Sequence, residues 1–191
     1  VMNGFIVSYG DATLAAFGLG NRITSLVMMP AFGLGAALAA FIGQNIGAGQ
    51  FERAKKSVFQ TMAIGFTLLS LGSIIIYIFR LQLIHIFIDD PEVVQLSMSY
   101  MGVLALVFPL MAIIQSSMGA FQGSGHTRYV LIINLSRLWL LRIPMIILSR
   151  HFTTMGSSGI WYAMLVSNFI VCLIGIGIIL RGKWLTPTLI I

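Results

Sequence analysis

Arg137 and Asn134 stand in an otherwise apolar run, and their types and spacing point most directly to binding chemistry. An unpaired guanidinium at membrane depth costs ~3 kcal/mol on insertion scales. Arg137 is therefore expected to face protein or a water-filled cavity, where it either holds a ligand or bonds helix-end carbonyls. Asn134 lies one turn before it on the same helical face. Arg142, five residues on, is turned away from that face in an α-helix, so only one of the two is expected to look into a shared cavity. Arg22, near the end of another apolar run, is placed to snorkel.

Met98, Met101, Ala105, Phe108, Ala112 and Gln115 recur at three- and four-residue steps and form one helical face. Such a stripe is either packing or the wall of an adaptable apolar pocket, which Met and Phe with an occasional amide would suit. Met28, Met29 and Phe32 flank Pro30 in a similar way. The candidate substrate-contacting residues are Met28, Phe32, Phe108, Gln115, Asn134 and Arg137. Pro30, Pro109 and Pro144 each fall inside an apolar span, where each removes a backbone hydrogen bond. A static kink and a hinge beside a cavity are both open readings.

The acids Asp11, Glu52, Asp89, Asp90 and Glu92 all fall at span ends, as do His85, His126 and His151. A cation-coupled transporter commonly keeps an Asp or Glu within the membrane, and these spans offer none. There is no His pair at ligand spacing, no nucleophile elbow and no pair of embedded carboxylates, so neither a metal site nor an enzyme is expected. Cys172, the one cysteine, sits in an apolar run and reads as a small buried hydrophobe. The segment from Gly43 to Lys56 lacks the lysine of a phosphate loop and follows no strand. It reads as a turn between antiparallel helices, with Gly43, Gly47 and Gly49 at its start and Gly43 and Gly47 spaced for close packing.

The elements that position these residues are dictated by composition. Of 191 residues, 58% are hydrophobic and 8% charged, against roughly a quarter charged in a soluble domain. A bilayer core about 30 Å thick needs about 20 apolar helical residues, because only a helix satisfies its backbone internally in lipid. Ile23 to Ile42, Ser57 to Phe79, Val93 to Gly119, Tyr129 to Leu148 and Gly159 to Leu180 meet that test. Helices are expected over about 12–46, 54–80, 91–121, 127–150 and 158–181. Residues 1–9 are expected to be the tail of a truncated first helix, in a chain cut from something longer. The fold class is thus an all-α integral membrane protein, a lobe of six transmembrane helices with kinks. The Lys and Arg residues behind the net charge of +6 sit mainly at span ends, which favours a membrane protein over a nucleic-acid binder. Arg53, Lys55, Lys56, Arg128, Arg181 and Lys183 share one side, so that side and the C-terminus are expected to be cytoplasmic.

Three early blocks carry a family resemblance: Gly10 to Ile23 (GDATLAAFGLGNRI), Met29 to Gly35 (MPAFGLG) and Gly43 to Lys56 (GQNIGAGQFERAKK). They resemble the start of the second lobe of multidrug and toxic compound extrusion (MATE) transporters. Phe121 to Thr127 (FQGSGHT) and Arg137 to Pro144 (RLWLLRIP) are similar to later stretches of that lobe. The resemblance implies a plasma (inner) membrane transporter of two six-helix lobes related by a pseudo-two-fold axis. Such a transporter exports small amphipathic or cationic drugs by alternating access in exchange for H⁺ or Na⁺. On that reading the chain, 1–191, is the C-terminal lobe. Its partners are drugs, membrane lipids and an N-terminal lobe outside the chain, with no nucleic acid, and the full-length protein is a monomer. No cofactor is implied, and the coupling carboxylate is expected in the other lobe. A lipid-linked oligosaccharide flippase and a non-transporting scaffold are the alternatives.

Overall fold

The structure is a computed structural model that describes residues 6–152 and 156–185, with side chains omitted at 150–152. The described helices are α1 (Asp11–Gly47), α2 (Phe51–His85), α3 (Pro91–Gly123), α4 (Thr127–Leu135), a π-helical segment (Ser136–Arg142), α5 (Ile143–Phe152) and α6 (Ser158–Leu180). A 3₁₀ turn, Lys183–Leu185, follows. Of the truncated helix expected over 1–9, Val1 to Phe5 lie outside the described residues, while Ile6 is buried in the core. The side chains of Arg150 and His151 also lie outside them.

Among the described residues, five continuous helical stretches are long and apolar enough to cross a membrane. The first three run beyond the apolar stretches that predict them: α1, α2 and α3 have 37, 35 and 33 residues. At 1.5 Å per residue they are about 50–55 Å long, well over the ~30 Å of hydrocarbon. Their polar ends therefore tilt or project past the apolar layer.

Local chemistry sets the ends. Asp90 caps α3 by accepting from the Glu92 and Val93 N–H groups at 2.9 and 3.2 Å, with Pro91 in the first turn. The chain turns after α1 at Gly49, φ 71°, and after α3 at Gly125, φ 78°, a left-handed conformation that glycine adopts without strain. The α1–α2 turn differs from the expectation in one respect. Gly43 is a helical packing residue rather than part of the turn, and Gly47 is the last residue of α1.

α3 is the central helix. Over half of its most apolar stretch, 56%, is buried, against 28% for α1 and for α2. It lies parallel to α1 with their backbones almost touching: a Cβ built on Gly119 would collide with the Gly35 backbone, and one on Gly123 with that of Ala39. Gly35, Ala39 and Gly43 recur every four residues, and Gly119 and Gly123 answer them at the same step, so the small residues stay in register. A Cβ on Gly43 would stand 3.3 Å from the Gly123 carbonyl oxygen, whereas one on Gly47 would meet nothing within 4 Å. The close contact therefore belongs to Gly43 and not to Gly47. On its other flanks α3 meets Gly65 of α2 through Ala112, and Gly175 of α6 through Ser117.

Pro109 has no N–H to give the carbonyl of Ala105, and the Ser73 hydroxyl of α2 donates to that carbonyl instead. Pro30 and Pro109 both lie inside unbroken helices. For Pro109 the neighbouring helix satisfies the freed group, which is how a static kink is held.

Gly123→Leu is expected to force α1 and α3 apart at a cost of at least about 1–3 kcal/mol. Gly47→Ala should stay within about 0.5 kcal/mol of the parent. Thermal unfolding in detergent checks the pair. By the same readout, Ser73→Ala should lose about 1–3 kcal/mol, because the Ala105 carbonyl is left without a donor.

Candidate functional site

Among the described spans, the one from Thr127 to Phe152 departs from α-helical geometry. Pro144 cannot donate to the carbonyl of Leu140, and its ring crowds that carbonyl. Leu140 lies in the π segment, where the wider turn relieves the clash. Five residues along an α-helix rotate a side chain about 140° from the first. In a helix closed by i→i+5 bonds, the fifth residue instead lies about one turn above the first. Arg137 and Arg142 consequently share a face, contrary to the expectation from α-helical spacing, and both line one pocket of about 160 Å³.

The pocket lies between α1, α3, the π segment and α6. Its polar lining comes from Asn21, Thr24, Tyr100, Arg137, Arg142 and Asn168, over an apolar bed that includes Phe108 and Met111. Arg137 Nη2 donates to Asn134 Oδ1 at 3.4 Å, and its Nη1 lies 3.7 Å from Met111 Sδ. Arg142 Nε donates to Ser167 Oγ at 3.3 Å. Ser167 and Asn168 are held by their own bonds to the Met164 carbonyl, at 3.0 and 2.8 Å. The Tyr100 ring is fixed by stacking on Trp161, centroids 4.1 Å apart, and on Phe17 at 5.8 Å. Gly20 lets it lie there, because a Cβ at that position would run into the ring.

No carboxylate lines the pocket. All five acids of the chain are exposed, at or beyond helix ends. Among the described residues, no group of three or more His, Cys, Asp and Glu is placed to hold a metal. The arrangement offers positive charge, hydroxyl and amide groups in an apolar bundle, which is a binding site and not a catalytic one.

The predicted site residues separate. Phe108 and Arg137 line the pocket, and Asn134 supports Arg137 from just outside it. Met28, 2% exposed, packs in the same core cluster as Phe108 and does not line the pocket. Phe32 is 54% exposed on α1, away from the pocket. Gln115 is half-buried, and its backbone carbonyl oxygen lies 3.2 Å from where a Cβ on Gly35 would stand. The Met and Phe stripe is mainly core: Met101, Ala105, Phe108 and Ala112 are all buried. It serves packing, because α3 is surrounded by helices. Asn168, Tyr100, Asn21 and Thr24 are the polar lining residues that sequence reasoning missed. An amide inside the apolar run 159–180 was a usable signal for the first; Tyr100 had none.

A second, larger groove of about 660 Å³ lies between α2, α3 and α6. Its rim includes the exposed Ile74 and Leu106, and its single guanidinium, Arg80, is stacked 4.0 Å over Tyr77. It converges fewer polar groups than the smaller pocket.

A double-mutant cycle tests the inner geometry. Arg142→Ala and Ser167→Ala should show a coupling of about 1 kcal/mol in thermal unfolding, and zero coupling would mean that Arg142 does not reach α6.

Comparison with known proteins places these features. A family model described as MatE matches residues 1–148. The chain is 26% identical over 157 residues to a probable multidrug resistance protein, YoeA, of Bacillus subtilis, covering 82% of this chain and 34% of that protein. It is 27% identical over 175 residues to a probable multidrug resistance protein, NorM, of Thermotoga maritima, covering 92% and 38%. A solved outward-facing multidrug resistance transporter superposes with a TM-score of 0.89 at 21% identity, covering 96% of this chain and 42% of that one. The chain thus spans little more than a third of the length of these curated relatives.

Proposed function

The chain belongs to the MatE family of multidrug and toxic compound extrusion transporters, and from that premise we propose that it is the second lobe of a polyspecific drug exporter. The exporter would work by alternating access in exchange for H⁺ or Na⁺. The observation that carries the reading is the π-helical widening of a membrane span near its middle. π-helical turns inside α-helices are frequent at functional sites, and Ser136–Arg142 widens the span there while bringing two guanidiniums to the pocket.

Relatives named as multidrug resistance proteins support amphipathic or cationic drugs as substrates. The exposure of every acid at helix ends supports a coupling carboxylate outside this chain, in the first lobe. The clustering of Arg53, Lys55, Lys56, Arg128, Arg181 and Lys183 at one end of the bundle supports a cytoplasmic C-terminus in a plasma (inner) membrane. Membrane lipids are the other partners, and the full-length protein is taken as a monomer. A flippase for lipid-linked oligosaccharides is the second reading. The pairing of Arg137 with Arg142 in one pocket favours it more than a lone arginine would.

Expression of the full-length protein should lower the sensitivity of cells to cationic dyes. Unchanged sensitivity at normal membrane abundance would overturn the export reading and leave the flippase or a scaffold. Arg137→Ala should cut export about tenfold, since the pocket wall loses the side chain that ties the π segment to Asn134 and Met111. Arg22→Ala, at an exposed position on α1, should leave export within about twofold. Equal activity of the two variants would remove Arg137 from the site.

A further inference from the structure

We propose that the pocket between α1, α3, the π segment and α6 binds an oxyanion that carries a hydroxyl or proton, with Arg137 and Arg142 supplying its countercharge. Two like charges line one small cavity in an apolar bundle, and no acid lines it with them. A cavity of this kind is costly when empty of negative charge, and guanidinium forks match carboxylate and phosphate oxygens. Neither arginine is used up by its protein contacts. Arg137 donates to one amide oxygen and approaches a thioether, and Arg142 donates to one hydroxyl, against five N–H donors on each side chain.

Two further groups in the lining point to the class of ligand. The Tyr100 hydroxyl and Asn168 Oδ1 are buried, on side chains 1% and 2% exposed, and neither has a hydrogen-bond partner. Buried polar atoms are paired in the great majority of cases, so an orphaned pair in one pocket is a site for something else. The hydroxyl is a donor. The amide oxygen is an acceptor, and with Asn168 Nδ2 committed to the Met164 carbonyl the side chain offers the cavity only that oxygen. Guanidinium and phenol donors beside one acceptor fit an anion with its own O–H, such as hydrogen phosphate, bicarbonate or a phosphate monoester, and do not fit a bare halide. Size agrees: about 160 Å³ holds a small ion or the head of a longer compound, and drug-sized sites run to about 300–1,000 Å³.

The inference rests on the transporter reading only in taking the intact protein as the thing to test. Thermal unfolding of the purified, full-length protein in detergent is followed while sodium chloride is replaced by sodium phosphate at constant ionic strength, with no drug present. A saturable stabilisation by phosphate is expected, with chloride inert. Arg137→Gln and Arg142→Gln should each weaken the apparent phosphate affinity about tenfold or more. Arg142→Lys should retain part of the response. Asn168→Asp, which adds a negative charge beside the guanidiniums but gives up the donation to the Met164 carbonyl, should still unfold cooperatively and lose the phosphate response. Absence of saturable stabilisation by phosphate, an equal response to chloride, or an unchanged response in both Gln variants overturns the proposal.

Hexyl phosphate separates the two sources of the anion. Binding much tighter than phosphate marks the site as the seat of a substrate head group, and equal binding marks it as a site for the free ion. Loss of drug export with the phosphate response intact would refute export alone. Normal export without a phosphate response would refute this inference alone.

Discussion

The rest of the lobe depends on the backbone-to-backbone approach of α1 and α3. In lipid there is little hydrophobic drive for helices to associate, because hydrocarbon tails are as apolar as leucine. Dispersion between closely fitted surfaces and hydrogen bonds across helices must supply the attraction. Gly35, Ala39 and Gly43 against Gly119 and Gly123 let two parallel helices come close over two full turns. With α3 held there, its other sides accept α2 through Gly65 and α6 through Gly175. The three gaps between α3 and its neighbours then determine where side chains of the three can meet.

The span from Thr127 to Phe152 contrasts with this tight centre. Only 11% of its most apolar stretch is buried, the lowest share among the membrane-crossing helices. Trp139 and Leu140, at the middle of the π segment, are 55% and 69% exposed. A helix with few packed neighbours and a widened turn at mid-length can change register or bend at smaller cost than α3 can, since fewer contacts must be broken. Because Arg137 and Arg142 ride on that segment while Tyr100 and Asn168 belong to packed helices, the pocket joins a lightly held wall to a firmly held one. That asymmetry suits a site whose shape must differ between two states of a transporter.

Prolines show how the same residue type acquires different meanings. Pro109 is answered by Ser73 and sits in a packed helix, so its kink is part of the scaffold. Pro144 lies beside the π segment in the loosely packed span, where the strain is taken up by the helix itself. Nothing in the local sequence around either proline distinguishes them. The difference is whether a hydroxyl from another helix reaches the freed carbonyl.

The sequence by itself determined the solvent, the number and rough extent of the spans, and where they begin. Those follow from the run lengths of apolar residues and from local chemistry such as Asp90 and Pro91, which act within one turn of chain. It also placed every acid at a span end and marked Arg137 as costly enough to need a purpose. Only the tertiary structure decided which faces meet. The repeat of small residues in α1 is visible in the chain, but its register with Gly119 and Gly123 depends on residues about eighty positions away. The expectation that Arg142 turns from Arg137 assumed 3.6 residues per turn, and it failed because one π segment changes that period. Tyr100, Arg142 and Asn168 come from three separate stretches of sequence. Their convergence is a property of helix packing that no local period encodes.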